Sequence, residues 1–155
     1  MAITTPREPL PAGPLLALDV GERRIGVAYS DPTGTLATPW TTIRRASRRE
    51  DFAAVARLAG ERGAAAVIVG HPLNMDGSAG PQARRVARYA QALAKHLSIP
   101  VILWDERLST DIALERRQNR GRSRAPVSVD AEAAAVILQD YLDARTSDRT
   151  WLTAA

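Results

Sequence analysis

Three acidic positions along the 155-residue chain stand where a folded domain rarely leaves a charge. Asp19 interrupts the apolar run "LLALDVG", Asp105 and Glu106 follow directly on "VILW", and Asp130 lies at the start of the alanine-rich stretch "VDAEAAAVILQDYLD". A carboxylate buried alone is costly or changes its protonation state, so each of these needs a compensating partner. Successive strand residues face opposite ways, so one of Asp105 and Glu106 is expected on Asp19's face. Asp130 has an ordinary explanation in the helix dipole. Yet positions 130, 134, 137 and 141 share one helical face, and the last three are Ala134, Ile137 and Tyr141. Asp130 thus extends an inward stripe. Three carboxylates that meet in one pocket repel each other unless a cation neutralises them, and an all-oxygen set suits Mg²⁺ or Mn²⁺. Such ions hold a water as hydroxide, orient a phosphodiester and stabilise the leaving oxygen; two of them about 3.5–4 Å apart do all three.

The elements that must carry these acids are legible. Residues 14–20 and 24–30 read as two strands joined by a tight hairpin at Gly21 and "ERR". A third strand fits "LATPWTTI", where Pro39 indicates an edge or a bulge. Phe52, Val55, Ala56 and Ala59 recur at helical spacing between Arg49 and Arg62, and Gly63 ends that helix. The uniformly apolar "AAAVIVG" reads as a strand covered on both faces. A turn-rich loop, "HPLNMDGSAG", leads to a helix opened by Pro81. "IPVILWD" is a further buried strand. Ser109, Thr110 or Asp111 can cap a helix that fades in the basic loop "RRQNRGRSRAP", and a last helix is expected from near Ser128 to near Ala144. The order predicts an α/β fold with a mixed five-stranded sheet, three antiparallel strands and then parallel ones, flanked by helices. Residues 1–13 read as a flexible N-terminal tail, 14–144 as the folded domain and 145–155 as a C-terminal tail.

Composition bounds the rest. The hydrophobic fraction of 45% and the charged fraction of 25% are those of a globular domain. No apolar run is long enough to cross a bilayer, the N-terminal stretch does not resemble a secretory signal, and there is no cysteine, so a cytoplasmic location is expected. The net charge is +4 and the pI about 10.3, with Lys95 the only lysine. Arginine's planar fork suits phosphate oxygens, and the balance points modestly to nucleic acid, although an arginine-favouring codon usage produces the same bias.

Four stretches, "LALDVGERRIGVAYSD", "VIVGHPLNMDGSAGPQA", "WDERLST" and "VDAEAAAVILQDYLD", resemble in order the motifs of the YqgF-type Holliday-junction resolvases, also described as pre-16S rRNA nucleases. The resemblance covers roughly residues 14–144. It implies a ribonuclease H-like fold and a metal-dependent nuclease with Asp19, Glu106 and Asp130 as catalytic metal ligands for Mg²⁺ or Mn²⁺. It implies a role in maturing the 5′ end of 16S rRNA, or in cutting branched or single-stranded DNA during recombination and repair. Departures from the family pattern include His71 and Glu22, neither of them a proposed ligand.

Around the acids, Arg23, Arg24, Asn74, Ser78, Arg107, Ser109, Thr110, Arg122 and Arg124 are the candidates for touching nucleic acid. Asn74 and Ser78 belong to a loop able to present polar groups to phosphate. Arg122 and Arg124 lie just before Asp130. The cluster Arg44, Arg45, Arg48 and Arg49 is either a phosphate grip or a solvated helix start. His71 is a weaker candidate for proton transfer, and Trp104 reads as core. A non-catalytic nucleic-acid-binding module would account for the basic charge but not for three inward acids. The expected partner is nucleic acid, not a membrane, and the expected state is a monomer or, for symmetric cleavage of a junction, a homodimer.

Overall fold

A computed structural model describes residues 3–4, 13–106 and 128–154, with side chains described for 13–106 and 128–145. The elements are β1 (Ile3–Thr4), β2 (Leu15–Val20), β3 (Arg24–Ser30), β4 (Ala37–Arg44), α1 (Arg48–Arg62), β5 (Ala66–His71), α2 (Pro81–His96), β6 (Val101–Asp105) and α3 (Val129–Ala154). They form one sheet of order β1-β6-β5-β2-β3-β4. β2 pairs antiparallel with β3 and parallel with β5, and β3 pairs antiparallel with β4. β5 and β6 pair in parallel. The expected hairpin and mixed sheet are therefore present.

Strand alternation divides the core into two layers. On the front face, Leu15, Ala17, Ala28, Ala66, Ile68, Ile102 and Trp104 pack against Ala134, Ile137, Leu138 and Tyr141 of α3. On the back face, Leu16, Leu18, Val27, Val67 and Val69 pack against Phe52 and Val55 of α1 and Val86 and Leu93 of α2. Leu15, Leu16, Ala17 and Leu18 are all fully buried, which is why β2 reads as a continuous apolar run rather than an alternating one.

Local chemistry sets the helix ends. Ser47 Oγ accepts the Glu50 N–H at 3.1 Å and starts α1. Gly63, at φ 59°, closes it in the left-handed conformation. Pro81 occupies the first turn of α2, where its missing N–H costs nothing. Ser128 Oγ accepts the Ala131 N–H at 3.1 Å and starts α3. Pro39 sits in the edge strand β4 beside a register irregularity, in agreement with its sequence signal.

Two features depart from the sequence reading. Ile3–Thr4, within the stretch read as a tail, pairs in parallel with Val101 and Ile102. Both residues are β-branched, and the outer edge of β6 offers unpaired backbone groups. The sheet is therefore six-stranded, not five-stranded. α3 also runs to Ala154 rather than ending near Ala144. No proline or glycine interrupts residues 145–154, so nothing there breaks the helix. The expected helix after Ser109 lies outside the described residues.

The front face of β3 is unusually flat. A Cβ at Gly26 would run into the carbonyl of Asp130, where α3 begins, and would stand 3.0 Å from the Ala131 nitrogen. Gly60, in the exposed part of α1, has no neighbour within 4 Å of such an atom. Gly26→Ala is expected to destabilise the protein by about 1–3 kcal/mol through overpacking. Gly60→Ala is expected to stabilise it by about 0.5–1 kcal/mol. Denaturant unfolding of both variants checks this, and equal effects would contradict the close approach of α3.

The turn between β3 and β4 carries its own electrostatic lock. Asp31 accepts the N–H groups of Leu36 at 2.8 Å and Thr35 at 2.9 Å, and the Thr33 hydroxyl donates to it. These bonds, the Leu36 N–H foremost, hold the carboxyl at about 2, below the usual 3.8. A depressed folded value means that the stabilisation is complete above the unfolded pKa and is lost as pH falls through the folded one. The difference in Tm between the wild type and Asp31→Asn is expected to hold steady at neutral pH and to shrink between pH about 4 and about 2.

Candidate active site

Asp19 takes the front face by simple alternation from Leu15 and Ala17. Its cross-strand partner in β3 is Gly26, the residue over which the Asp130 carbonyl lies. On its other side, the register pairs Leu18 with Val69, so the next residues along the two parallel strands are Asp19 and Gly70. A Cβ at Gly70 would meet the Glu106 carboxylate and stand 2.6 Å from Ile137 Cδ1. Glu106 follows β6 directly and continues the front-face series of Ile102 and Trp104. Thus Glu106, Asp19 and Asp130 lie across three neighbouring strands at one end of the front face, two of them over residues with no side chain. Strand spacing of about 4.8 Å sets the scale of that row.

The row is not a closed ligand set. Among the described residues no three His, Cys, Asp or Glu side chains form a group able to hold a metal ion. Asp130 is turned to Arg24, whose Nε donates to its Oδ2 at 2.9 Å. Three carboxylates repel one another, and the guanidinium draws one of them aside. This pair is half open to water, with side chains 64% and 32% exposed, so it is a weak, exchangeable contact. The donor chemistry nevertheless suits a hard divalent cation, because the three groups are all carboxylates, and the missing side chains of Gly26 and Gly70 let the Asp130 backbone and the Glu106 carboxylate come down beside Asp19.

The remaining candidates separate by position. Arg24 belongs to the acidic end. Arg23 is exposed, and its carbonyl accepts the Arg45 N–H at 2.8 Å. Asn74 and Ser78 bond to each other, Nδ2 to Oγ at 2.9 Å, and Ser78 also bonds to Asp76, so their polar groups shape an exposed turn. Asp105 and His71 are cross-strand partners and follow the back-face series Val101–Leu103 and Val67–Val69. His71 Nε2 is 3.2 Å from the Ala83 carbonyl of α2. Trp104 is core, edge-on to Tyr141 and donating to Asp140 at 3.0 Å. Arg107, Ser109, Thr110, Arg122 and Arg124 lie outside the described residues. Gly26 and Gly70 were not singled out from the sequence. Their signal was available: a glycine inside an apolar strand often marks a close approach.

With this geometry in view, comparison with known proteins is decisive about kinship. The family described as "RuvX: Holliday junction resolvase" matches residues 13–144. The chain belongs to the RuvX family. A relative from Chloroflexus aurantiacus, named "Putative pre-16S rRNA nuclease", is 48% identical over 136 residues, covering 86% of this chain and 89% of its own. A Myxococcus xanthus protein of the same name is 47% identical over 133 residues, covering 83% and 87%. Among solved structures, Thermus thermophilus RuvC in complex with a Holliday junction superposes with a TM-score of 0.60 at 15% identity, covering 86% of this chain and 96% of that one. The fowlpox virus Holliday junction resolvase gives 0.50 at 12% identity, covering 84% and 99%. These likenesses agree with the ribonuclease H-like fold expected from the motifs.

The contact between Gly70 and Glu106 is open to test. Gly70→Ala is expected to cost about 1–3 kcal/mol of stability. In the pair Gly70→Ala/Glu106→Ala part of that loss should return, because the obstructing carboxylate is gone. Strictly additive losses in a double-mutant cycle would show that Glu106 does not lie over Gly70.

Proposed function

We propose that the protein is a metal-dependent nuclease that hydrolyses phosphodiester bonds in the 5′ region of precursor 16S rRNA. The observation that carries this reading is the row of Glu106, Asp19 and Asp130 at one end of one sheet face, with Gly70 and Gly26 beneath it. The names of the relatives support the substrate. A second reading, cleavage of branched DNA, draws on the family description and on the fold shared with RuvC.

In this reading Asp19, Glu106 and Asp130 hold Mg²⁺ or Mn²⁺. Such an ion, when bound, activates a water and stabilises the leaving oxygen of the phosphodiester. Asp19 supplies the fixed point, since the hydrogen-bonded neighbours of β2 on both sides leave it little freedom. Arg24 has a double use: it holds the Asp130 carboxylate, and its exposed guanidinium is placed to take a backbone phosphate of the substrate. The front face beyond the acids is closed by α3, so the nucleic acid approaches from the end of the strands. The protein carries no helix among the described residues long and apolar enough to cross a membrane.

Asp19→Asn keeps the size of the side chain and removes its charge. Cleavage is expected to fall by about a thousandfold or more, equivalent to about 4 kcal/mol of transition-state stabilisation, while nucleic-acid binding persists. A variant that cuts at the wild-type rate would remove the nuclease centre from Asp19. Assays of one preparation with Mn²⁺ on precursor 16S rRNA and on a four-way DNA junction separate the two substrates. Faster cleavage of the junction would overturn the rRNA assignment, and cleavage of neither would leave a binding module.

A further inference from the structure

The back face carries a second charged feature that the acids do not use. At the end of β2, on the side reached by Val20 rather than Asp19, lies a cavity of about 240 Å³. Arg45 and Arg48, at the entry to α1, and Arg85 and Arg88 of α2 line it, with Tyr89 and Glu22 among the other wall residues. Arg45 is held in place on three sides. Its Nη1 donates to the Gly21 carbonyl at 2.9 Å, its Nε stands 3.6 Å from Asp51 Oδ2, and its guanidinium lies 4.6 Å from the centre of the Tyr89 ring. Asp51 and Tyr89 are each only 2% exposed. Both Asp51 oxygens are engaged, one by the Tyr89 hydroxyl and one by the Ala46 N–H, each at 2.9 Å. Burial, and then the bond to Asp51, push the Tyr89 hydroxyl far above the usual phenol range, so it remains a donor and the brace stays intact.

The charge in this cavity is incompletely balanced. Asp51 offsets Arg45. Glu22, 85% exposed, reaches Arg85 only at 4.0 Å. Arg48 and Arg88 make no ion pair among the described residues. A solvated arginine face needs neither a concave shape nor a buried carboxylate that fixes one guanidinium. Arg45 is preorganised by its brace, and Arg48, Arg85 and Arg88 are exposed guanidinium groups around the same recess. Such a set complements a phosphoryl oxyanion, which it binds through paired N–H donors.

We propose that this back-face cavity is a phosphoryl-binding site, separated from the three acids by the thickness of the sheet. The phosphoryl group comes either from a free nucleotide or from a nucleic-acid strand that passes behind the sheet. The arginines and their brace share no residue with the three acids, so this site holds or fails independently of the nuclease reading.

The test is made in EDTA, where no cleavage interferes. Pyrophosphate and adenosine 5′-monophosphate are titrated calorimetrically at constant ionic strength, and a single-stranded oligothymidylate is titrated by anisotropy across a salt series. The wild type is compared with Arg48→Gln/Arg88→Gln and with Arg57→Gln/Lys95→Gln, which loses the same charge outside the cavity. Thermal unfolding checks that all three are folded. Loss of pyrophosphate or monophosphate affinity by about tenfold in the first variant alone assigns the site to a free phosphate. Loss of oligonucleotide affinity in that variant alone, with the salt slope reduced by about 1.4, assigns it to two strand phosphates. A wild type that binds none of the probes, or two double variants that behave alike, overturns the proposal.

Discussion

The start of α3 rests on the backbone of β3, with the Asp130 carbonyl over Gly26 where any side chain would stand, and the rest of the site depends on that contact. It fixes how close the helix comes to the sheet and which end of the sheet its first acidic residue reaches. The front face is built to allow it: Gly26 and Ala28 in β3, Ala17 in β2 and Ala66 in β5 present short side chains or none. Opposite them, Ala131, Ala134 and Ala135 are fully buried on the helix. The back face of the same strands carries Leu16, Leu18 and Val27, which hold α1 and α2 on a thicker layer. The small residues of β2 and β3 beneath the start of α3 let this helix come close, while the larger front-face residues Leu15, Ile68, Ile102 and Trp104 fill the rest of that layer. Further along α3, Gln139 locks the alignment by accepting the Ala37 N–H at 2.9 Å and donating to the Thr35 carbonyl at 3.0 Å. The polar contacts at residue 139 and the steric contact at residue 130 together leave the helix little room to slide.

The period of two in a strand then distributes chemistry between the faces. Asp19 and Val20 are neighbours in sequence and look in opposite directions, one to the acids and one to the arginines. Glu106 and Asp105 divide in the same way. The hairpin at Gly21–Arg23 joins both sides: Asp19 leads into it, its carbonyls at Gly21 and Arg23 accept from Arg45, and Arg24 leaves it to pair with Asp130. A shift of this turn would therefore move an acid on the front and a guanidinium on the back together.

Much of this was legible in the sequence, because short-range signals are written in short stretches. Ser47, Pro81 and Ser128 mark helix starts, Gly63 marks an end, and the apolar runs mark the strands. Alternation placed one of the two acids at the end of β6 on Asp19's face, and the structure identifies that residue as Glu106. What the sequence withheld depends on residues far apart along the chain. The strand at Ile3–Thr4 exists only because β6 leaves an edge beside it. The roles of Gly26 and Gly70 exist only because Asp130 and Glu106 return to them from a distance. Asp51 looks like an ordinary acid in the first turn of a helix, yet it is buried and braces Arg45 and Tyr89.

The three acids differ in how firmly the fold holds them, and that difference has consequences for the chemistry. Asp19 lies inside a strand paired on both sides. Glu106 stands just past the end of a strand, on a long side chain with Gly70 beneath it. Asp130 occupies the first turn of α3 and faces a positive partner, Arg24, as well as the positive end of the helix dipole. A site with one rigid and one exchangeable carboxylate can keep its place while its charge is rearranged. The exposed Arg24 pair is weak enough to exchange for a stronger cation. Under the proposed nuclease reading, release of Asp130 to a cation would free the Arg24 guanidinium for a phosphate, so both would draw on the same ion pair.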